Sequence, residues 1–253
     1  MTLTTMRHRL SPNAPHPRRA PCLGVVLLAA AAMTAGCATT GVGGHAGPPV
    51  PAPQYHVGDR WVYHGEDGYR AKVEWDETRE VIAIASDSIT VRIVAKGPTI
   101  DTERIEKWSA PGVVTQGTVC ETEDARFDPP LVRYRFPLTT GETWTQDVRD
   151  SDKPIGPYGP IKRYVSVGGH ESIATPAGNF DAIGMREIMH LDDETFWRYP
   201  TECNFVTWYS PAVGASVQEL RRSHWYDKGG LDAIGIHPGL YGKIELVSFK
   251  RGG

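Results

Sequence analysis

Apolar and polar residues alternate along much of this chain with a period of two. Ala71, Val73 and Trp75 alternate with Arg70, Lys72, Glu74 and Asp76, and Ile89, Val91 and Ile93 alternate with Thr90 and Arg92. That period puts one set of side chains on each face of a sheet, so each run predicts a strand buried on one side and wet on the other. The run 81–85 is apolar at every position and predicts a central strand covered on both faces. Asp87-Ser88 then gives a hairpin connection to the next strand. Residues 102–109 and 113–120 flank a turn at Pro111-Gly112. Segment 121–130 is polar and ends in Asp128-Pro129-Pro130, which predicts a connection, because proline has no N–H to give to a ladder.

From Phe136 to Arg222 the pattern becomes a series of hairpins. Phe136-Pro137-Leu138 leads to Gly141-Glu142-Thr143-Trp144. Residues 164–173 and 179–189 flank Thr175-Pro176-Ala177-Gly178, where proline presets one backbone angle and glycine tolerates the exit. Strands are predicted over 195–199 and 204–209, and the turn from Ser210 to Gly214 leads into another over 215–221. Residues 150–160 read as an exposed loop and residues 223–242 as a long irregular one, before a last strand at 243–250. No apolar helical stripe exceeds two turns. The fold class is therefore all-β: an antiparallel, hairpin-rich, strongly curved sheet or open β-barrel with few short helices. Gly58-Asp59-Arg60-Trp61 recurs as Gly141-Glu142-Thr143-Trp144, which suggests two similar lobes, 55–120 and 131–250, unless a common turn-and-strand start has recurred by chance.

The N-terminus carries an address. Arg18-Arg19 precedes an apolar run at 23–33, and Thr34-Ala35-Gly36 stands before Cys37. A charged flank, a short apolar segment and small residues make a secretory signal peptide over 1–36, and the run is too short for a permanent membrane span. Thr34-Ala35-Gly36-Cys37 resembles the lipobox of bacterial lipoproteins. The resemblance implies cleavage before Cys37, a diacylglycerol on its thiol, and attachment to a membrane through that lipid; Ala38 resembles the sorting signal for the outer membrane, facing the periplasm. Ordinary cleavage with Cys37 left free is the alternative. Residues 37–54, Gly-rich and then Pro-rich, predict an extended tether with His45 solvated, ahead of a folded domain at 55–253.

Cys22 leaves with the leader and Cys37 takes the lipid, so Cys120 and Cys203 remain. In an oxidising compartment two such cysteines are expected to pair as a disulfide, the alternatives being buried thiols or half of a metal site. Removing Arg7, Arg9, Arg18 and Arg19 with the leader leaves 23 basic residues against 30 acidic ones. Such a surface argues against nucleic acid as a partner.

The chemistry-bearing residues do not form a known constellation. Gly-x-Ser-x-Gly is missing and Ser216 reads as a strand residue; no zinc-ligand spacing or phosphate-binding glycine loop occurs, so no cofactor, metal or catalytic residue is assigned. Asp192-Asp193-Glu194 reads as a solvated hairpin tip in preference to a cation site. His170, His190, His224 and His237 are scattered singly. Trp61, Trp75, Trp108, Trp144, Trp197, Trp208 and Trp225 read as core filler, or in part as the lining of an apolar cleft. Phe136-Pro137-Leu138, the Thr-Pro-Ala-Gly turn and Trp208-Tyr209-Ser210-Pro211 together resemble a broad group of uncharacterised bacterial envelope proteins with hairpin-rich β domains. That resemblance implies a curved sheet and no established activity. The expected function is a non-enzymatic envelope lipoprotein that binds a partner protein or an apolar molecule; the alternative is an envelope hydrolase with His224, Asp227 and His237 on the irregular loop, and a spacer role is a third reading.

Overall fold

In the computed structural model, residues 42–68, 72–120, 124–152, 160–229 and 235–253 are described, all within the compact unit Thr39–Gly253. The leader and Cys37 lie outside the described residues. Twelve strands follow one another: β1 (Arg60–Asp67), β2 (Val73–Ala85), β3 (Ser88–Lys96), β4 (Asp101–Ala110), β5 (Val113–Gly117), β6 (Ala125–Val132), β7 (Thr143–Asp150), β8 (Ile161–Thr175), β9 (Gly178–His190), β10 (Glu202–Ser210), β11 (Ala215–Tyr226) and β12 (Ile236–Lys250). Each pairs antiparallel with its neighbours in sequence, and β12 pairs with β1, so the sheet is closed into a barrel. Closure leaves no free edge, which removes the open barrel from the alternatives. No helix is present among the described residues.

The barrel is one ring, with β5, β6 and β7 paired across the boundary expected between two lobes. The repeated motif nevertheless has a structural counterpart. Gly58 N–H donates to the Val81 carbonyl (2.8 Å) and Val81 N–H to that of Asp59 (2.9 Å); Gly141 N–H donates to Val167 (2.9 Å) and Val167 N–H to Glu142 (2.8 Å). Both glycines have positive φ, 92° and 85°, and each motif ends on a buried tryptophan, second in its strand. β1 and β7 stand half a ring apart, so the repeat marks two half-barrels.

Alternation sorts the strands by face. Trp61 and Tyr63 of β1, Ile89, Val91 and Ile93 of β3, Val165 and Val167 of β8, and Ile244 and Leu246 of β12 point inward and are buried. The outer face carries charges paired between strands, such as Arg92 with Glu80 and Lys72 with Glu66. This is the reverse of a transmembrane barrel, whose outside is apolar.

Several expectations are corrected. Of the apolar run 81–85, Val81 is buried and bonded to the backbone of Gly58 and Asp59, and beyond it the strand projects, with Ile82 and Ile84 exposed. Residues 195–199 are a loop. β11 and β12 reach through the stretch read as irregular, pairing His224 with Pro238, Trp225 with His237 and Tyr226 with Ile236; a register shift between Arg222 and His224 and the scattered glycines hide the period.

Asp128-Pro129-Pro130 lies within β6. A strand with two prolines is possible there because β6 meets β7 at only two pairs, Phe127 with Asp150 and Asp128 with Arg149. A side chain completes the seam: Gln146 Nε2 donates to the Pro130 carbonyl (2.7 Å) and its Oε1 accepts from Val132 N–H (3.0 Å).

The tether is also corrected. Residues 42–54 are docked along the barrel wall. His45 and His170 exchange backbone hydrogen bonds (3.1 and 2.8 Å), as do Val50 and Leu138 (2.9 and 2.8 Å), and Gly169 N–H donates to Gly43 (2.9 Å). The His45 side chain is exposed, but its backbone is paired. Two of the glycines that suggested disorder are close-packed: a Cβ on Gly44 would lie 2.7 Å from the Gly169 carbonyl carbon and one on Gly47 2.4 Å from His170 Cδ2, and on the wall one on Gly184 would lie 2.1 Å from Val42 Cγ1. His170, buried, backs this strap with its ring against Gly47 and its Nε2 3.2 Å from the Pro48 carbonyl oxygen.

Candidate functional site

Two places in the barrel gather chemistry-bearing side chains. The first is its interior. Glu77 and Arg79 of β2, Arg104 and Glu106 of β4, Glu219 and Arg221 of β11, and Arg133 beyond β6 converge beside Tyr63, Trp108 and Tyr134 on a cavity of about 130 Å³. Arg79 bridges two acids, with Nε 2.6 Å from Glu77 and Nη1 2.9 Å from Glu219. Glu219 also accepts from Ser216 and Arg221. Glu106 takes both arms of Arg133 (3.0 and 3.1 Å) and the Trp108 indole N–H (3.0 Å). Glu187 also lines the cavity and pairs with the buried Arg163.

Burial by itself would raise the Glu219 carboxyl, but Arg221 and Arg79, with hydrogen bonds from Arg79 and Ser216, outweigh it and hold the group well below the usual carboxylate range. Glu77 and Glu106 are lowered on the same terms, by Arg79 and Arg104 and by Arg133 respectively. Burial pushes the Tyr63 phenol up to about 12 and raises that of Tyr134 further, so both are neutral. Arg133 and Arg221 both line the cavity and keep 29% and 26% of their side chains accessible. One mouth is plugged by Tyr55, which stands edge-on to Trp61 (88°) and donates to the Gly214 carbonyl (3.0 Å).

The second place is a rim. Connections of an up-and-down barrel alternate between its ends, so the β9–β10 and β11–β12 connections share the end opposite the chain's entry. There Phe196 is 85% exposed, Ile236 62%, Tyr199 50% and Trp197 46%. The loop that carries them is braced: Tyr199 N–H donates to Tyr226 (2.8 Å), Lys228 N–H to Trp197 (2.8 Å), and Thr201 N–H to Asp193 Oδ1 (2.8 Å). Trp197 stands edge-on to Trp225 (5.3 Å), which stacks on His237 (3.8 Å) and lies under the Arg198 guanidinium (4.7 Å). The local cations are matched by acids: Arg198 with Asp193 and Lys228 with Glu194.

The sequence-derived candidates separate accordingly. His237 Nε2 lies 2.9 Å from Asp227 Oδ2, so these two meet, but the ring is held flat against Trp225. His224 packs on Tyr226 instead. Ser216 is the strand residue expected, bonded to Glu219. The acids of 192–194 are not a bare hairpin tip, since Asp193 and Glu194 brace the rim. Cys120 and Cys203 form a disulfide with Cα atoms 6.2 Å apart. It ties the β5–β6 connection to β10, and Cys203 is fully buried. Among the tryptophans, Trp61 and Trp144 are core, Trp61 and Trp108 also border the chamber, and Trp197 is on the surface.

The inward charges were missed, although the signal was present. Glu77 and Arg79 continue the parity of Trp75 and Val81, and Glu219 and Arg221 that of Val217.

Comparison with known protein families and with curated proteins finds no match. Two solved structures are similar to this chain. A candidate lipoprotein from Parabacteroides distasonis is 15% identical with a TM-score of 0.43, covering 81% of this chain and 100% of its own. A candidate exported protein with a YmcC-like fold from Bacteroides fragilis is 10% identical with a TM-score of 0.38, covering 81% and 100%. Both scores lie below the level at which a shared fold follows.

Proposed function

We propose that this protein is a non-enzymatic, lipid-anchored module of the cell envelope that docks a partner protein on its aromatic rim. The observation that carries the reading is Phe196, 85% exposed beside Trp197, Tyr199 and Ile236 on a loop held by its own hydrogen bonds. Large apolar side chains grouped on a braced surface lose area to water and gain it back on docking, with little ordering left to oppose binding. Because the barrel is closed, and its thin β6–β7 seam is bridged by Gln146, little sheet edge is free for strand addition among the described residues, which favours the loops as the contact. The rim's cations are already matched by acids, which suits a protein surface better than an anionic bilayer. The chamber does not suit the apolar molecule considered from sequence, since about 130 Å³ walled by guanidiniums is small and charged.

The anchor rests on the lipobox resemblance at Cys37, with the outer membrane facing the periplasm as its place. The docked Val42 lies five positions after Cys37, a reach of at most about 18 Å, so the barrel would ride close to the bilayer. Cys37→Ser should release the protein from membranes; retention would remove the anchor.

A photo-crosslinking residue at position 196 tests the rim, with position 82, exposed at the opposite end, as control. The expected result is a discrete protein adduct from 196 and none from 82. Equal adducts, or lipid adducts alone, would overturn the reading.

A further inference from the structure

The chamber holds more positive than negative charge. Arg79, Arg104, Arg133 and Arg221 face Glu77, Glu106 and Glu219, while Arg163 and Glu187 cancel beside them. The phenols of Tyr63 and Tyr134 are neutral and cannot supply the missing charge. Arg79, Arg133 and Arg221 each make close hydrogen bonds to a carboxylate. Arg104 does not: its contact is 3.7 Å to Glu77, and its Nε is buried without a hydrogen-bond partner among the described residues. A buried guanidinium N–H left in this way is costly, and an anion that accepts from it removes the cost.

The cavity beside it is about 130 Å³. That is room for several waters, or for one small organic ion. Its other walls are the rings of Tyr55, Trp61 and Trp108 and the side chain of Leu131. We infer that the chamber binds one short-chain monocarboxylate, its oxygens on Arg104 and its alkyl end against Trp108 and Leu131. A monoanion matches the single excess charge, and the aromatic walls favour a carboxylate with a small apolar tail over a fully hydrated inorganic ion. The inference concerns the lumen and is independent of rim docking.

The probe is acetate, with the full-length protein in mild detergent at neutral pH. Acetate is titrated against chloride at equal ionic strength, and melting is followed for wild type and Arg104→Gln. Wild type should show a saturable rise, roughly 3–6 °C at ten times Kd, that Arg104→Gln lacks. Without acetate the variant loses the Arg104 contact to Glu77, so each protein is compared with its own acetate-free melting point. Saturation transfer from aromatic protons to the acetate methyl in wild type gives a second readout that needs no variant. An equal rise in both proteins, or no transfer in wild type, would overturn the assignment.

Discussion

Gln146 joins two strands that their backbones barely join, donating to the Pro130 carbonyl at 2.7 Å while accepting from Val132 N–H at 3.0 Å. Its Oε1 also accepts from Arg163 Nη1 (3.0 Å), a side chain that is itself buried. Gln146→Ala strands three polar groups at the β6–β7 seam. The expected loss is about 2–4 kcal/mol of unfolding free energy, read by chemical denaturation. A change below about 0.5 kcal/mol, the level of an ordinary surface substitution, would show that the seam closes without it.

Acid should act on the barrel through the chamber. Glu219, Glu77 and Glu106 are lowered in the folded state from an ordinary value of 4.5. In that range the unfolded chain binds more protons, so the stabilisation is complete above about pH 4.5 and is lost as pH falls through the folded values. Glu219→Gln should melt lower than wild type at pH 7, because Arg79 and Arg221 lose their shared acid, and should lose less on going from pH 5 to pH 3. Parallel melting curves for the two proteins over that interval would contradict the assignment.

The docked strap makes a local prediction. A methyl group on Gly184 would fall 2.1 Å from Val42 Cγ1, so Gly184→Ala should lift the strap from the wall. Limited proteolysis should then cut within residues 42–50 several-fold faster, while the fragment from Tyr55 onward stays resistant. Unchanged cleavage would mean that the strap is held from His45 and Val50 alone.

The disulfide spans a sequence separation of 83 residues. Replacing Cys120 and Cys203 together by Ser should cost about 4 kcal/mol if constraint of the unfolded chain dominates, or roughly 10 °C in Tm. In the native protein neither sulfur should react with a thiol reagent until reduced.

Much of the fold was legible because alternation is a local signal. Ile89 to Ile93 and the Thr175 to Gly178 turn show their structure within a few residues. Closure was not legible, since the meeting of Arg60 with Lys250 depends on the twist summed over the whole sheet. The strap was misread because composition cannot distinguish glycines that are free from glycines packed against Gly168 and Gly169. The rim loop at 195–199 looked like a strand because its aromatic residues suit a pleated surface as well as an exposed platform. The chamber was hidden for the opposite reason: Glu77, Arg79, Glu219 and Arg221 are charged, and charge at an inward position reads as a solvated face until its partners on distant strands are seen.

The central claim is that the rim docks a protein, and the native size of the full-length molecule tests it most directly. Gentle detergent extracts of its own envelope, run by size exclusion and followed with an antibody, should show the wild-type protein in a species larger than the purified monomer. Phe196→Ser and Ile236→Ser, both at exposed positions, should melt as wild type does and elute at monomer size. Wild type at monomer size, or variants that elute with a larger wild-type species, would contradict the account.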